Sequence, residues 1–445
     1  MRTQDPISRL NRLPGPLFPT LLARTVLLFF ALASPAVCEN WQAWRGPRGD
    51  GTSNEKDLPV KWNGRTGENI EWKVALPGAG HASPITWEDK VFTVSTLDSG
   101  ERVLLCLNHK DGKIRWQRTV FKGPLETIHR LNSRASSTPA TDGKLVFATF
   151  LKVDGRTIPA PNVGSPRPIT PGTILIVAYG LEGEKKWGVE LGGFISAHGF
   201  NSCPVLYRDL VIINGDHDGN GYLAALERKT GKVRWKIDRK NKTRSYVTPI
   251  IREIEGRTQL VLSGSKSVAS YDPATGREHW IIDGPTEQFV ASMVYDGKLL
   301  FITEGFPARH ILAIRPDGRG NVTDTHIAWR TNRGAAYVPS PIVEGPYFLI
   351  VSDNGIASCF EAKNGNRLWM ERLGGGHSAS TVSASGLVYF VSDKGVTTVV
   401  RPGKEFEVVA KNELGERCSA SPAISGGTIY IRSHKNLFAI KTVGK

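Results

Sequence analysis

Histidine, arginine, tyrosine and asparagine recur just ahead of eight short segments, each built from a small polar residue followed by proline or a substitute. These lead-in segments are GAGHAS (His81), LNSRASS (Asn132, Arg134), SAHGFNS (His198, Asn201), KTRSYVT (Arg244, Tyr246), EQFVAS (Glu287, Gln288), RGAAYVPS (Arg333, Tyr337), GGGHSAS (His377) and GERCSAS (Glu416, Arg417). Imidazole, guanidinium, phenol and amide groups with few carboxylates suit the gripping of an anionic or hydroxyl-rich ligand better than the removal of a hydroxyl proton. The same groups would also serve simply to satisfy buried backbone. The candidate ligand contacts are therefore His81, Arg134, His198, Asn201, Arg244, Tyr246, Tyr337, His377 and Arg417, and no catalytic residue is nominated.

One further constellation carries possible chemistry. In NGDHDGNGYL, Asp216, Asp218 and Asn220 alternate as oxygen ligands do in a calcium loop, and Glu227 stands where a bidentate acid would close it. The flanks VIIN and YLAAL read as strands, whereas an EF-hand needs helices, so a polar hairpin turn accounts for the pattern. GAGH and GGGH precede strands, which leaves no helix N-terminus to hold a phosphate. GxSxG and HExxH do not occur.

The elements that must position these residues are announced by repetition. A turn glycine followed four residues later by tryptophan recurs at Trp116, Trp187, Trp235, Trp280 and Trp369. Trp329 follows a longer loop, RPDGRGNVTD, and a worn copy, PGKEFEV, carries Phe406 in place of tryptophan. Each unit reads as a tight turn needing positive φ, then an outer strand whose aromatic wedges between sheets. Every lead-in segment opens a hairpin of alternating apolar residues, such as HASPITWEDKVFTV and SASPAISGGTIYIR. Eight hairpins need eight closing strands, yet seven follow them in the chain. The eighth, NIEWKVAL with Trp72, lies at the front.

A period of about 47 residues is that of a four-stranded propeller blade. The predicted fold is all-β: an eight-bladed β-propeller over residues 69–445, its blades four-stranded and antiparallel, its ring closed by the N-terminal strand. A Pro-rich insertion at 153–173 reads as a surface loop, in position to act as a lid, and residues 39–68 as an extended strap. The lead-in segments then gather around the central channel at one face.

LAALERKTGKVRW, VASYDPATGREHW and ASCFEAKNGNRLW closely resemble the tryptophan-docking repeats of quinoprotein-type (PQQ-like) propellers, over the whole mature chain. WQAWRGPRGDGTS and GRGNVTDTHIAWR resemble a secreted bacterial branch of that class. The resemblance implies one of two functions. In quinoprotein dehydrogenases of alcohols or sugars it implies PQQ with calcium, an Asp base and, in the alcohol enzymes, a disulfide of adjacent cysteines; in the propeller lipoprotein of the outer-membrane barrel assembly machine it implies a non-catalytic scaffold. The lead-in segments hold few acids and no cysteines are adjacent, so the expectation is an exported scaffold that needs no cofactor and binds a protein partner or an anionic or hydroxyl-rich ligand in the cell envelope. A PQQ-dependent alcohol or sugar dehydrogenase is the alternative, and recognition or cleavage of acidic glycans a second.

Composition and charge bound the remaining choices. Residues 1–38 carry Arg2, Arg9, Arg12 and Arg24, an apolar run from Thr25 to Ala33 and then small residues, the layout of a secretory signal with cleavage near Cys38 or after Ala33. PAVC also offers Cys38 as a lipid anchor, with Val37 a poor neighbour for that modification. The expected location is periplasmic or secreted. Removing four Arg and one Asp with the signal takes the net charge from +15 to +12. The basic residues form no long block, so the charge reads as solubilising and no nucleic-acid partner is expected. No transmembrane segment is expected in the mature chain, which reads as a monomer. Cys106, Cys203, Cys359 and Cys418 form no CxxC; in an oxidising compartment they pair, or remain buried thiols.

Overall fold

The computed structural model describes Gly15, residues 39–284 and residues 286–442. The expected signal segment and Cys38 lie outside the described residues. Among those described there is no helix, and eight antiparallel sheets of four main strands each stand around a ring. Their innermost strands, in chain order, are Ile85–Trp87, Ala140–Thr141, Val205–Tyr207, Ile250–Ile254, Val294–Tyr295, Ile342–Glu344, Val382–Ala384 and Ala423–Ser425, which number the blades one to eight. No described helix is long and apolar enough to cross a membrane.

Ile70–Ala75 pairs antiparallel with Asn436–Ile440 and supplies the outer strand of the eighth blade, the closure expected from the front-end NIEWKVAL. The worn unit at Phe406 leads into a full outer strand, Glu407–Glu413, so the seventh blade is complete. Middle strands such as Leu104, Val211 and Phe390 are buried on both faces, because each sheet packs between two neighbours. That explains why the strands read as apolar runs.

The tryptophans of the outer strands reach to the next blade. Trp72, Trp187, Trp235 and Trp329 donate their indole N–H to His109, Arg228, Pro273 and Ala362 carbonyls, at 2.8–3.2 Å, in the turn one blade on. Each ring lies flat on that turn's glycine. A Cβ on Gly112, Gly231, Gly276 or Gly365 would stand 2.6–2.9 Å from the indole, and all four have positive φ. The spacing of glycine and tryptophan thus joins two blades as well as building one.

Trp280 departs from the pattern. Its indole donates at 2.8 Å to Gln259 in its own blade, and Gln259 Nε2 donates at 2.8 Å to the Pro316 carbonyl of the fifth. The cause is the long RPDGRGNVTD loop: Gly320–Asn321 pairs parallel with Glu278–Asp283 as a fifth strand, covering Trp280 and leaving Gln259 to relay the bond.

Small residues before each proline or its substitute form a second series of links around the channel. Ser83 N–H donates to Thr138 Oγ1, Thr138 N–H to Cys203 Sγ, Ser292 N–H to Ser340 Oγ, Ser340 N–H to Ser380 Oγ, Ser380 N–H to Ser421 Oγ, and Ser421 N–H back to Ser83 Oγ. Each small polar side chain satisfies the buried backbone donor of the blade before it. Cys203 does this with a thiol.

Residues 39–68 contain isolated bridges and no strand. Trp41 exchanges hydrogen bonds with Thr86 of the first blade, Gln42 accepts from Thr141 N–H of the second, and Ser53 N–H donates to the Ser383 carbonyl of the seventh. Farther on, Glu55 takes the N–H groups of Gly426 and Gly427, and Trp62 stacks on Tyr389 with ring centres 6.4 Å apart. The strap therefore crosses the inner strands from the first blades to the last before becoming the closing strand. Trp41 and Trp62 are almost wholly buried, each contributing about 1.5–3 kcal/mol or more of apolar burial.

The Pro-rich insertion is more ordered than a surface loop. Its tip is a small hairpin, Ile158–Pro159 with Pro168–Ile169, and it folds inward over the channel. Cys106, Cys203, Cys359 and Cys418 are all buried and unpaired, so among the described cysteines there is no disulfide. Burial pushes the thiols of Cys106, Cys359 and Cys418 up to about 12, which leaves them inert.

Candidate functional site

The ring of lead-in segments encloses a cavity of about 600 Å³, within the size range of small-molecule sites. Trp44 of the strap lies in it, its indole N–H donated at 3.0 Å to Ser292 Oγ of the inner ring. Val290, Phe306 and Val338 add apolar wall, and Phe306 is half exposed.

Six of the nine residues expected at the channel face line this cavity: His81, His198, Asn201, Arg244, Tyr246 and Tyr337. The other three do not. Arg134 turns away to donate at 2.8 Å to the Glu126 carbonyl, His377 is buried beside Asp393, and Arg417 is exposed at the rim. Of the neighbours, Asn132 and Gln288 line the cavity, Glu287 pairs with Lys266 and Arg333 is exposed.

Second contacts hold each lining side chain in place. Tyr246 shares a 2.8 Å hydrogen bond with Ser196, and Tyr337 donates at 3.2 Å to Gln288. Arg244 is ion-paired with Asp218 at 2.8 Å and donates to the Asn162 carbonyl at 3.1 Å. His198 meets His129 edge-on at 5.4 Å, and His81 stacks on His434 at 5.1 Å.

These imidazoles are neutral. Burial, reinforced by Arg244, His129 and Arg167, drives His198 down to about 4; burial, His434 and Arg432 do the same to His81. Asn201 Oδ1 is buried and accepts no hydrogen bond from the protein.

The carboxylates of the calcium-like loop are committed elsewhere. Asp216 is ion-paired with Arg239 at 2.8 Å and Asp218 with Arg244, while the Asn220 carbonyl faces His217 Nε2 at 3.1 Å. Among the described residues no group of three His, Cys, Asp or Glu side chains converges to hold a metal ion. Asp353 is the carboxylate in the cavity lining, and both of its oxygens are used, accepting the N–H groups of Tyr337 at 2.8 Å and Val338 at 3.0 Å.

Reading the sequence alone missed the lining residues outside the repeat: Trp44 from the strap, and Asn162, Val163 and Arg167 from the insertion. The Pro-rich excess length was the available signal for the insertion. His129 also escaped, though it precedes a lead-in segment by a few residues.

An eight-bladed ring around a walled channel is a β-propeller, and the matching family model makes it one of the PQQ-repeat class. The chain belongs to the family described as Outer membrane protein assembly factor BamB, whose model matches residues 52–159 and 172–404. Residues 160–171, the tip of the insertion, fall in the gap of that match. No curated protein gave a significant match. Among solved structures, BamB from Moraxella catarrhalis is similar with a TM-score of 0.56 at 12% identity, covering 82% of this chain and 98% of that one. A europium-containing methanol dehydrogenase gives 0.61 at 11% identity, covering 89% and 90%. The quinohemoprotein alcohol dehydrogenase from Comamonas testosteroni gives 0.51 at 12%, covering 91% and 81%. At these identities the likeness is one of fold.

Proposed function

We propose that this protein is an exported, non-catalytic propeller of the cell envelope that binds a protein partner or a ligand at the channel face. The observation that carries this reading is the state of the lining: neutral imidazoles, phenols and amides, with Asp353 as its carboxylate, each of whose oxygens accepts a backbone N–H. A calcium ion takes six to eight oxygens with several carboxylates among them, and a hydroxyl-oxidising site needs a free base. The donors present do not fit that pair, and no adjacent cysteines lie over the channel. Membership of a family described as an outer membrane assembly factor supports a protein partner and an envelope location.

The test is reconstitution of the mature protein with PQQ and calcium, followed by calorimetry and dye-linked oxidation of alcohols and sugars. No stoichiometric uptake and no oxidation are expected. Stoichiometric PQQ binding with turnover would overturn the reading and make a dehydrogenase of the protein.

A further inference from the structure

Resting on the reading of the channel as a binding site, we propose that the cavity takes a short acidic saccharide, its ring against Trp44, Phe306 and Val338 and its carboxylate on Arg167. The lining has two characters. One side is apolar and aromatic, the kind of surface on which the C–H face of a sugar packs. The other presents amide and imidazole groups, among them Asn201, whose buried Oδ1 has no donor, and His198, whose ring nitrogens make no hydrogen bond within the protein. A neutral imidazole offers one donor and one acceptor, and a hydroxyl is both, so a polyhydroxylated ligand matches such a surface group by group.

The charges fix where the acid goes and how much of it there is. Arg244 is neutralised by Asp218 at 2.8 Å. Arg167 spends one nitrogen on the Ala197 carbonyl at 2.7 Å and has no ion-pair partner, so its charge and its remaining donors are open. Asp353 belongs to the sixth blade, across an eight-membered ring from the second, where the insertion arises. The cavity is therefore polarised, cationic at one wall and anionic at the opposite one, which suits a ligand with a single acidic end and disfavours a polyanion. Arg167 and its neighbour Asn162 lie in residues 160–171, outside the family match, so this chain adds its cation to a channel built by the common repeat.

Calorimetric titration of the full mature chain with an aldobiouronic acid, a disaccharide carrying one carboxylate, with the corresponding neutral disaccharide and with sodium sulfate tests the proposal, in the wild type, Arg167→Gln and Asn201→Ala. Thermal melts of the variants confirm folding. The acidic disaccharide is expected to bind at least about tenfold more tightly than the neutral one, the scale of one charge-assisted hydrogen bond. Arg167→Gln should erase that ratio while leaving neutral binding, and Asn201→Ala should weaken both sugars together. The proposal fails if neither disaccharide binds, if the acid preference survives Arg167→Gln, or if sulfate binds as tightly as the disaccharide. None of those outcomes touches the non-catalytic reading, which falls only if PQQ-loaded protein oxidises substrate.

Discussion

A buried cation and a pair of stacked imidazoles concentrate at the junction of the eighth and first blades. Arg432 has no acid partner, and it donates to Thr93 Oγ1 at 2.8 Å, the Val94 carbonyl at 2.6 Å and Ser95 Oγ at 2.9 Å. Burial lowers it to about 9, and it holds its charge through these neutral acceptors. Its planar fork spans two blades, which a lysine ammonium does not do. Arg432→Lys should therefore cost about 1.5–3 kcal/mol in urea unfolding, the worth of the charged hydrogen bonds it loses. His81 behaves oppositely to a salt-bridged group. Its value falls from the ordinary 6.5 to about 4 on folding, so between those values the unfolded chain binds the extra proton. Stability is then level above pH 6.5 and is lost as pH drops toward 4; denaturation midpoints across that window should fall, and His81→Gln should flatten the slope. The charged and titratable groups facing His81, namely His434, Arg432 and Arg417, oppose its protonation, and a hydrogen bond with the Leu131 backbone offsets them in part.

At the level of the strand and turn, most of the architecture could be read directly, because one physical unit is written eight times. The turn glycine, the tryptophan and the small polar lead-in each answer a need that recurs in every blade, so the period exposes them. What escaped has no period. The fifth strand on the fourth blade comes from a single loop, and the change of partner it forces on Trp280 is invisible until Gln259 and Pro316 are brought together. Trp44 and Arg167 line the cavity from the strap and the insertion, segments with nothing to be compared with inside the chain. Arg134 carries the right chemistry at the right place in the repeat, yet a nearby carbonyl captures it. The glycine at the turn makes a measurable contrast. Gly112 and Gly256 both have φ near +70, but a Cβ on Gly112 meets Trp72 at 2.6 Å whereas one on Gly256 meets nothing. Gly256→Ala should cost only the backbone strain, about 1–3 kcal/mol, and Gly112→Ala clearly more, as read from denaturant midpoints of the two variants.

Across the whole molecule, stability depends on a joint between the two ends of the described chain. Trp72 sits in the closing strand, donates its indole to the first blade at 2.9 Å and packs on Tyr430 of the eighth at 5.8 Å. Trp72→Ala removes a buried aromatic from that joint and should destabilise the protein by about 3–5 kcal/mol, with the loss seen in the global unfolding transition; an unchanged melting temperature would contradict closure at this seam. The seam also has a history. Ile70–Ala75 is made well before its partner Asn436–Ile440, with the strands of seven whole blades between them. Throughout synthesis one half-apolar strand and one unfinished blade edge stay unmatched, each a template for pairing with another chain. A ring that ends without edges must therefore pass through a stage with two of them, and that stage is when this protein most needs to be kept from its own copies.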